Sequence, residues 1–266
     1  MNDLRERFSR MIYEGLENIA KEDASVQEQY LDIIAKEIRN CPVGVFQEGD
    51  AFFVPNNDYM RTCFGDTALR REFDLYDSDG ECKFLHRVVF PVYDVLDQIV
   101  GLIGYSPIEA EKWKNVDYDN PPDDLGDKYV YSAKSLMARG KYLFAPKGTY
   151  RKALEDGYAV VIDGTFDCLY LNYLGINAFS TLGSISDERV LYQLSFIPRL
   201  YNAYDNDEAG KQSYEKLKKF LPNIMPITQG KTKDIDDYIK LVGEKEFVQT
   251  LKRGINSPIP MAIKLR

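Results

Sequence analysis

Three groups of acidic residues in the second half of the chain have types and spacing that could do chemistry. Asp163-Gly164 is followed four residues on by Asp167; Asp205-Asn206-Asp207 forms a second group; Asp234, Asp236 and Asp237 follow Gly230. Clustered carboxylates repel one another unless cations neutralise them, and an all-oxygen ligand set suits Mg²⁺ or Mn²⁺. Ions of that kind activate a hydroxyl and stabilise the charge on a transferring phosphoryl group. His86 is the single histidine, so histidine-built metal cages are excluded, and a Ser-His-Asp or Cys-His mechanism would have to run through that one imidazole. A plainer reading makes each aspartate the N-cap of the helix that follows. One such aspartate is more often a cap than a ligand; three groups at three strand ends favour a metal site.

A second feature lies just upstream. Residues 128–152 contain Lys128, Lys134, Arg139, Lys141, Lys147, Arg151 and Lys152 and no acid, interleaved with Tyr129, Tyr131, Tyr142, Phe144 and Tyr150. Against a chain total of −8, these seven cations leave a balance of −15 elsewhere. Basic side chains neutralise phosphates and aromatic faces stack on bases, so the window reads as a nucleic-acid or nucleotide surface. The alternative is a solvated surface whose tyrosines fill the core. The low pI, about 4.9, argues at first against a nucleic-acid partner. Sorting the charge by position reverses that argument.

Both features need elements to hold them. From residue 158 onward short apolar runs alternate with helical patterns: strands at 158–162, 177–182, 199–204 and 223–228, helices at 166–174, 187–194, 208–220 and 244–253. This alternation predicts a mostly parallel sheet flanked by helices. In such sheets reactive groups gather beyond the carboxyl ends of the strands, which is where the three acidic groups fall. Gly164, Gly183 and Gly210 permit close backbone approach at these turns, or serve only the turns and helix packing.

The first half has a different texture. Leu4, Phe8, Met11, Ile12, Leu16 and Ile19 form one helical stripe, and Val26, Tyr30, Ile33, Ile34 and Ile38 a second that Pro42 ends. Beta-rich runs follow at 51–54, 85–93 and 98–105, the last two flanking a short Asp94–Asp97 turn as a hairpin. Residues 115–127, with five aspartates, two prolines and a glycine, read as an exposed connection.

Length and composition set the outer bounds. At 266 residues, 44% hydrophobic and 29% charged, the chain has room for one large domain or two small ones. Cys41, Cys63, Cys82 and Cys168 contain no C-x-x-C pair, which argues against zinc and for a reducing compartment. The N-terminus carries both signs of charge and lacks an apolar signal region, and the longest apolar run, 99–105, is too short to span a membrane. A cytoplasmic protein with no membrane partner is expected.

The three acidic groups, taken in order with the Gly183 loop, resemble a Toprim domain. The matching stretches are Asp163-Gly164-Thr165-Phe166-Asp167, Tyr204-Asp205-Asn206-Asp207-Glu208-Ala209-Gly210 and Lys233-Asp234-Ile235-Asp236-Asp237-Tyr238. Upstream, His86–Val92, Lys128-Tyr129-Val130-Tyr131-Ser132 and Ala138–Phe144 are similar to segments of bacterial DnaG-type primases. The likeness runs from about residue 85 to about residue 243, and its specificity rests on the order of six pieces. It implies an α/β fold: an α+β N-terminal subdomain at 1–127, a Toprim catalytic subdomain at 128–243 with a basic entry segment at 128–152, and a C-terminal helix and tail at 244–266. It implies a DNA-dependent RNA polymerase core that makes short RNA primers on single-stranded DNA from NTPs. Asp163, Asp205 and Asp207 would hold two or more Mg²⁺ or Mn²⁺ ions, supported by Asp167, Asp234 and Asp236. Arg87, Lys128 and Arg139 would contact template or nucleotide phosphates, with Lys141 and Lys211 as weaker candidates.

Two departures stand out. Asp163 replaces the family glutamate, which shortens the side chain by one methylene, roughly 1.5 Å. The zinc-binding and helicase-interacting modules usual in this family are not expected in this chain. An isolated core of the reduced kind used in phage or plasmid replication is therefore expected, acting in a bacterial host cell with helicase and zinc module supplied in trans. Two other readings stay open: a Toprim nuclease using the same acids to hydrolyse a phosphodiester, and a catalytically degraded protein that binds replication components.

Overall fold

The computed structural model describes residues 6–7, 9–11, 14, 51–54, 58, 73–114, 116, 122, 125–132, 141–182, 187–257 and 261–265. The chain divides into two compact units, Met1–Ala138 and Arg139–Arg266.

The first unit is built on a four-stranded antiparallel sheet of order β1-β2-β3-β4, with β1 at Phe52–Val54, β2 at Arg87–Tyr93, β3 at Ile99–Tyr105 and β4 at Tyr129–Tyr131. The β2–β3 hairpin expected from the sequence is present. Asp94 shapes its turn by accepting the amides of Leu96 (2.9 Å) and Gln98 (3.0 Å) on Oδ1. One face of the sheet buries Phe52, Val54, Val89 and Leu102 against Phe73 and Phe84; each such side chain contributes about 1.5–3 kcal/mol on leaving water. Of the first N-terminal stripe Met11 is described; it is helical and joins this core, while Ser9 Oγ accepts the Ile99 amide at 3.2 Å. The second stripe, at 26–38, and Cys41 and Cys63 lie outside the described residues.

A short helix, α1 (Pro107–Trp113), follows β3, capped by Ser106, whose Oγ accepts the Glu109 amide at 3.1 Å. Its Glu109 Oε2 accepts the Gly126 amide (2.8 Å), and Trp113 Nε1 donates to the Gly126 carbonyl (2.9 Å). These bonds lead the chain into β4, whose Val130 pairs with Gly104 of β3. Lys128 and the strand after it therefore lie in the first unit, which runs to Ala138. Three residues of strand inside a basic window carry too little periodicity to be read as one.

The second unit is a five-stranded parallel sheet of order β6-β5-β7-β8-β9. Helix α2 (Thr149–Asp156) leads in and ends at Gly157, whose φ of +71° suits a residue without Cβ. Strand β5 (Tyr158–Ile162) is buried at every position, as a central parallel strand covered on both faces should be. Then follow α3 (Thr165–Tyr173), β6 (Ala178–Ser180), α4 (Glu188–Ser195), β7 (Arg199–Asn202), α5 (Glu208–Phe220), β8 (Met225–Thr228), α6 (Ile235–Val242), α7 (Glu244–Ile255) and β9 (Ile263–Lys264). Pro222 stops α5, since the residue before a proline is forced out of the helical region. The mixed α/β class expected from the sequence holds in both units, and 244–265 adds a helix and an edge strand to the second sheet. Among the described residues no helix is long and apolar enough to cross a membrane.

Strand order positions the site. The chain passes from β5 to β6 on one side and then to β7 on the other. The crevice beyond the carboxyl ends of β5 and β7 is thus a topological switch point, the place where open α/β sheets bind ligands. Asp163 follows β5 directly, and Asp205 lies three residues beyond β7.

Gly210, in the first turn of α5, tests how closely this corner is packed. A Cβ built there would overlap the main-chain carbonyl oxygen of Asp205. Alanine in place of a helical glycine ordinarily stabilises by about 1 kcal/mol. Here Gly210→Ala is expected to destabilise by about 1–3 kcal/mol, as overpacking does. Urea unfolding with an unchanged m-value is the measurement, and a stabilised variant would contradict the packing.

Candidate functional site

Asp163 sits where β5 leaves the sheet. Its main chain is anchored from below: the fully buried Ser180 hydroxyl donates to the Asp163 carbonyl (2.8 Å) and accepts the Leu182 amide (3.1 Å). Asp163 is not a cap. The N-cap of α3 is Gly164, without any side-chain cap bond. The Asp167 carboxylate folds back so closely over Gly164 that a Cβ there would collide with it.

Burial pushes the Asp163 carboxyl above its ordinary range, and the charges of Asp167 and Asp207 push the same way, partly offset by the Asp163 and Gly164 amides. The Asp205 carboxyl is pushed up to about 6, first by burial and then by Asp163, with Asp234 and Asp207 adding to it and Lys233 opposing. Five acids from three segments, Asp163, Asp167, Asp205, Asp207 and Asp234, are therefore coupled by mutual repulsion. At Asp163 and Asp205 burial is the first cause, ahead of the neighbouring charges.

Capping and clustering coexist. Asp207 Oδ1 accepts the Gly210 amide (2.8 Å) at the start of α5, and Asp234 Oδ1 accepts the Asp237 amide (2.7 Å) at the start of α6. Each cap uses one oxygen of a group that has two. Asp236 falls elsewhere. It pairs with Lys240 at 2.6 Å and groups with Asp234 and Asp237, whose ligand oxygens lie within 4.8 Å of one another. Of the six expected metal-site acids, the structure couples five electrostatically and places the sixth in an adjoining cluster on the first turn of α6.

The donor set fits a hard divalent cation. It is all oxygen, it offers more than one carboxylate from independent elements, and it carries repulsion that a cation would remove. Asp163, Asp205 and Asp207 would hold such ions, with Asp167 and Asp234 next to them.

Sequence reasoning did not single out Lys233, whose ammonium lies 3.9 Å from Asp205. It also passed over Asn206 and Gln229. Lys233 had a signal in its place beside Asp234; the carboxamides had none, because their roles depend on which loops meet.

The expected phosphate-binding cations divide between the units. In the first, Arg87 Nη1 donates to the carbonyls of Asp127 (2.9 Å) and Lys128 (3.4 Å), so part of this guanidinium ties β2 to the segment entering β4. Burial works against its charge, while Asp127 and Glu109 support it. Exposed Lys128 lies 5.8 Å from the centroid of the Tyr129 ring. In the second unit, Lys141 is exposed and its charge reaches Asp187, and Lys211 is exposed on the first turns of α5. Arg139 and Gly183 lie outside the described residues. Cys82 and Cys168 are both buried.

With this geometry in hand, the known proteins it resembles become informative. The Toprim-like family matches residues 160–239. The DNA primase of Aquifex aeolicus is 29% identical over 180 residues, which is 65% of this chain and 33% of that protein. The crystal structure of the Aquifex aeolicus primase, comprising zinc-binding and RNA polymerase domains, superposes with a TM-score of 0.68 at 22% identity, covering 96% of this chain and 61% of that one. A DnaG primase catalytic domain bound to ssDNA superposes with a TM-score of 0.70 at 18% identity, covering 95% of this chain and 80% of that one. The fold is that of the DnaG-type primase RNA polymerase core. The chain spans about a third of the length of the Aquifex aeolicus curated relative. Within the primase-core fold, the Toprim-like stretch holds all three acidic groups.

Adding Mn²⁺ or Mg²⁺ is expected to raise the thermal midpoint of the metal-free protein. Asp205→Asn removes one charge from the repelling set, so without metal its midpoint should rise by about 2–4 °C, the shift about 1 kcal/mol makes at this size. The same variant should lose most of the metal-induced gain. A thermal melt with and without Mn²⁺ checks both, and a variant that keeps the full gain would contradict the site.

Proposed function

We propose that this chain is the catalytic core of a DNA-dependent RNA polymerase that makes short RNA primers on single-stranded DNA. The observation that carries the reading is the coupled acidic set at the β5/β7 switch point of a primase-core fold. The reaction is attack of a primer 3′-hydroxyl on the α-phosphorus of an incoming NTP. The new bond joins O3′ to phosphorus, the bond to the bridging oxygen breaks, pyrophosphate leaves, and the hydroxyl proton passes to solvent.

Divalent ions bound at such a site would lower the hydroxyl's pKa and stabilise the charge that develops on the phosphoryl and leaving oxygens. Asp163, Asp205 and Asp207 supply the fixed negative charge that holds them, and Asp167, Asp234 and Asp236 support that set. Capping bonds at Asp207 and Asp234 lock two of these side chains to helix starts, so little reorganisation accompanies the reaction. Asp163 is shorter than a glutamate, but the Ser180 bond holds its main chain in place.

Template and nucleotide phosphates are assigned to Lys128, Arg139 and the N–H groups of Arg87 not engaged by carbonyls, with Lys141 and Lys211 as secondary contacts. Lys128 beside the Tyr129 ring pairs a cation with a stacking surface, the combination single strands favour. The Aquifex aeolicus structure includes a zinc-binding domain; for this chain we assign a zinc-binding module and a replicative helicase as functional partners.

Four outcomes test the proposal. Single-stranded template, NTPs and Mg²⁺ or Mn²⁺ should yield short triphosphate-ended RNA; a shortened template with no RNA would instead indicate a nuclease. Asp205→Asn and Asp207→Asn should each lower synthesis by about 100-fold or more, the scale of a lost electrostatic stabiliser, and unchanged synthesis would remove these residues from the site. If Asp163→Glu raises synthesis from a negligible level, the natural chain is a degraded enzyme. Lys128→Ala should weaken single-strand binding on every sequence and reduce the slope of log affinity against log salt by about 0.7; fluorescence anisotropy across a salt series measures it.

A further inference from the structure

Two carboxamides next to the acidic groups cross between loops in opposite directions. Asn206, between Asp205 and Asp207, points its Nδ2 at the carbonyls of Gly230 (3.5 Å) and Thr232 (3.4 Å) in the loop after β8. Gln229, at the start of that loop, returns the interaction: its Nε2 faces the carbonyls of Ala203 (3.4 Å) and Tyr204 (3.4 Å), just before Asp205. Between them runs a shorter main-chain bond, Asn206 N–H to the Lys233 carbonyl at 2.7 Å. Thr232 Oγ1 closes the loop on the Gln229 carbonyl at 2.7 Å.

The side-chain bonds are individually long, and each donor is shared between two carbonyls, so any one of them contributes little. Their arrangement matters more. The segment carrying Asp205 and Asp207 is tied to the segment carrying Asp234 at three levels: before the acids, between them, and beside Lys233. These two segments also repel through their carboxylates. A carboxamide bridges them without adding negative charge, since it presents two N–H donors to carbonyls and carries no charge of its own. Gln229 is 3% exposed, and its Oε1 has no hydrogen-bond partner among the described residues. A buried acceptor left unpaired costs free energy, so the residue is poorly explained as a source of stability alone.

We infer that Asn206 and Gln229 form a reciprocal carboxamide clamp that holds the second and third acidic segments in register for divalent cations. This rests on the metal-site reading above. Both are positioning residues, because neither supplies a carboxylate to the site.

Mn²⁺ affinity of the full chain, measured by titration calorimetry without nucleotide, tests the clamp. Asn206→Ala and Gln229→Met should each weaken Mn²⁺ binding by about 10-fold, the usual scale for groups that orient metal ligands. The double variant should bind little worse than the weaker single one, since both act on the same loop pair. Asn206→Asp is the discriminating change. A clamp loses its donor and binds Mn²⁺ more weakly; a residue acting only through local charge would bind it more tightly. Hydrogen exchange at the Asn206 amide should also speed up in metal-free Gln229→Met. Because Asn206 is exposed, its variants carry the test even if Gln229→Met does not fold.

Mn²⁺ affinities within about twofold of the parent in both Asn206 variants, or tighter binding by Asn206→Asp, would overturn the clamp. Asp205→Asn and Asp207→Asn separate the two levels. If they abolish Mn²⁺ binding while the carboxamide variants retain it, the clamp alone fails. If they leave Mn²⁺ binding intact, the metal site fails and the clamp with it.

Discussion

Partly buried carboxylates that repel one another at the carboxyl ends of β5 and β7 are the constraint on which this structure turns. Solvent and salt weaken repulsion between fully exposed acids. Here burial is the first cause of the raised pKa at both Asp163 and Asp205, and neighbouring acids add to it. A fold that places these groups together accepts a standing electrostatic strain. Several local features make sense as responses to it: the buried Ser180 bond beneath Asp163, the helix N-termini facing Asp207 and Asp234, and the neutral amides between loops. A helix N-terminus carries partial positive charge, so the two caps also draw down some of the repulsion they sit in.

The sheet order supplies the geometry. Because β6 lies on one side of β5 and β7 on the other, β5 and β7 flank a topological switch point, where open α/β sheets bind ligands. Gly210 lets α5 begin close against the Asp205 carbonyl, so the second acidic segment turns sharply from strand to helix. In the first unit, Arg87 plays a comparable part. Its bonds to the Asp127 and Lys128 carbonyls set the entry to β4 and thereby the point from which Lys128 and Tyr129 project.

Much of this was legible in the amino-acid order, for identifiable reasons. Tyr158–Ile162 and Glu208–Phe220 were expected at the bounds observed, because an apolar run between glycine and aspartate, and an amphipathic stretch between aspartate and proline, are each marked at both ends. Helix α6 was hidden behind its own acids: Asp234, Asp236 and Asp237 drew attention as ligands and masked the cap-and-helix pattern they also form. Helix α2 was read as part of a charged window. Strand β9 is two residues long and exists only because β8 offers an edge. Arg87 was expected to contact phosphate; that part of its guanidinium binds carbonyls forty residues away is a tertiary fact with no local trace. The same holds for Asn206 and Gln229, whose partners belong to a different loop.

The central claim is that divalent ions bind among the acids of the β5/β7 crevice. Anomalous scattering from crystals soaked in Mn²⁺ tests it most directly. The account predicts manganese peaks held by Asp163, Asp205 and Asp207. Peaks confined to Asp234, Asp236 and Asp237, with none beside β5 and β7, would contradict it.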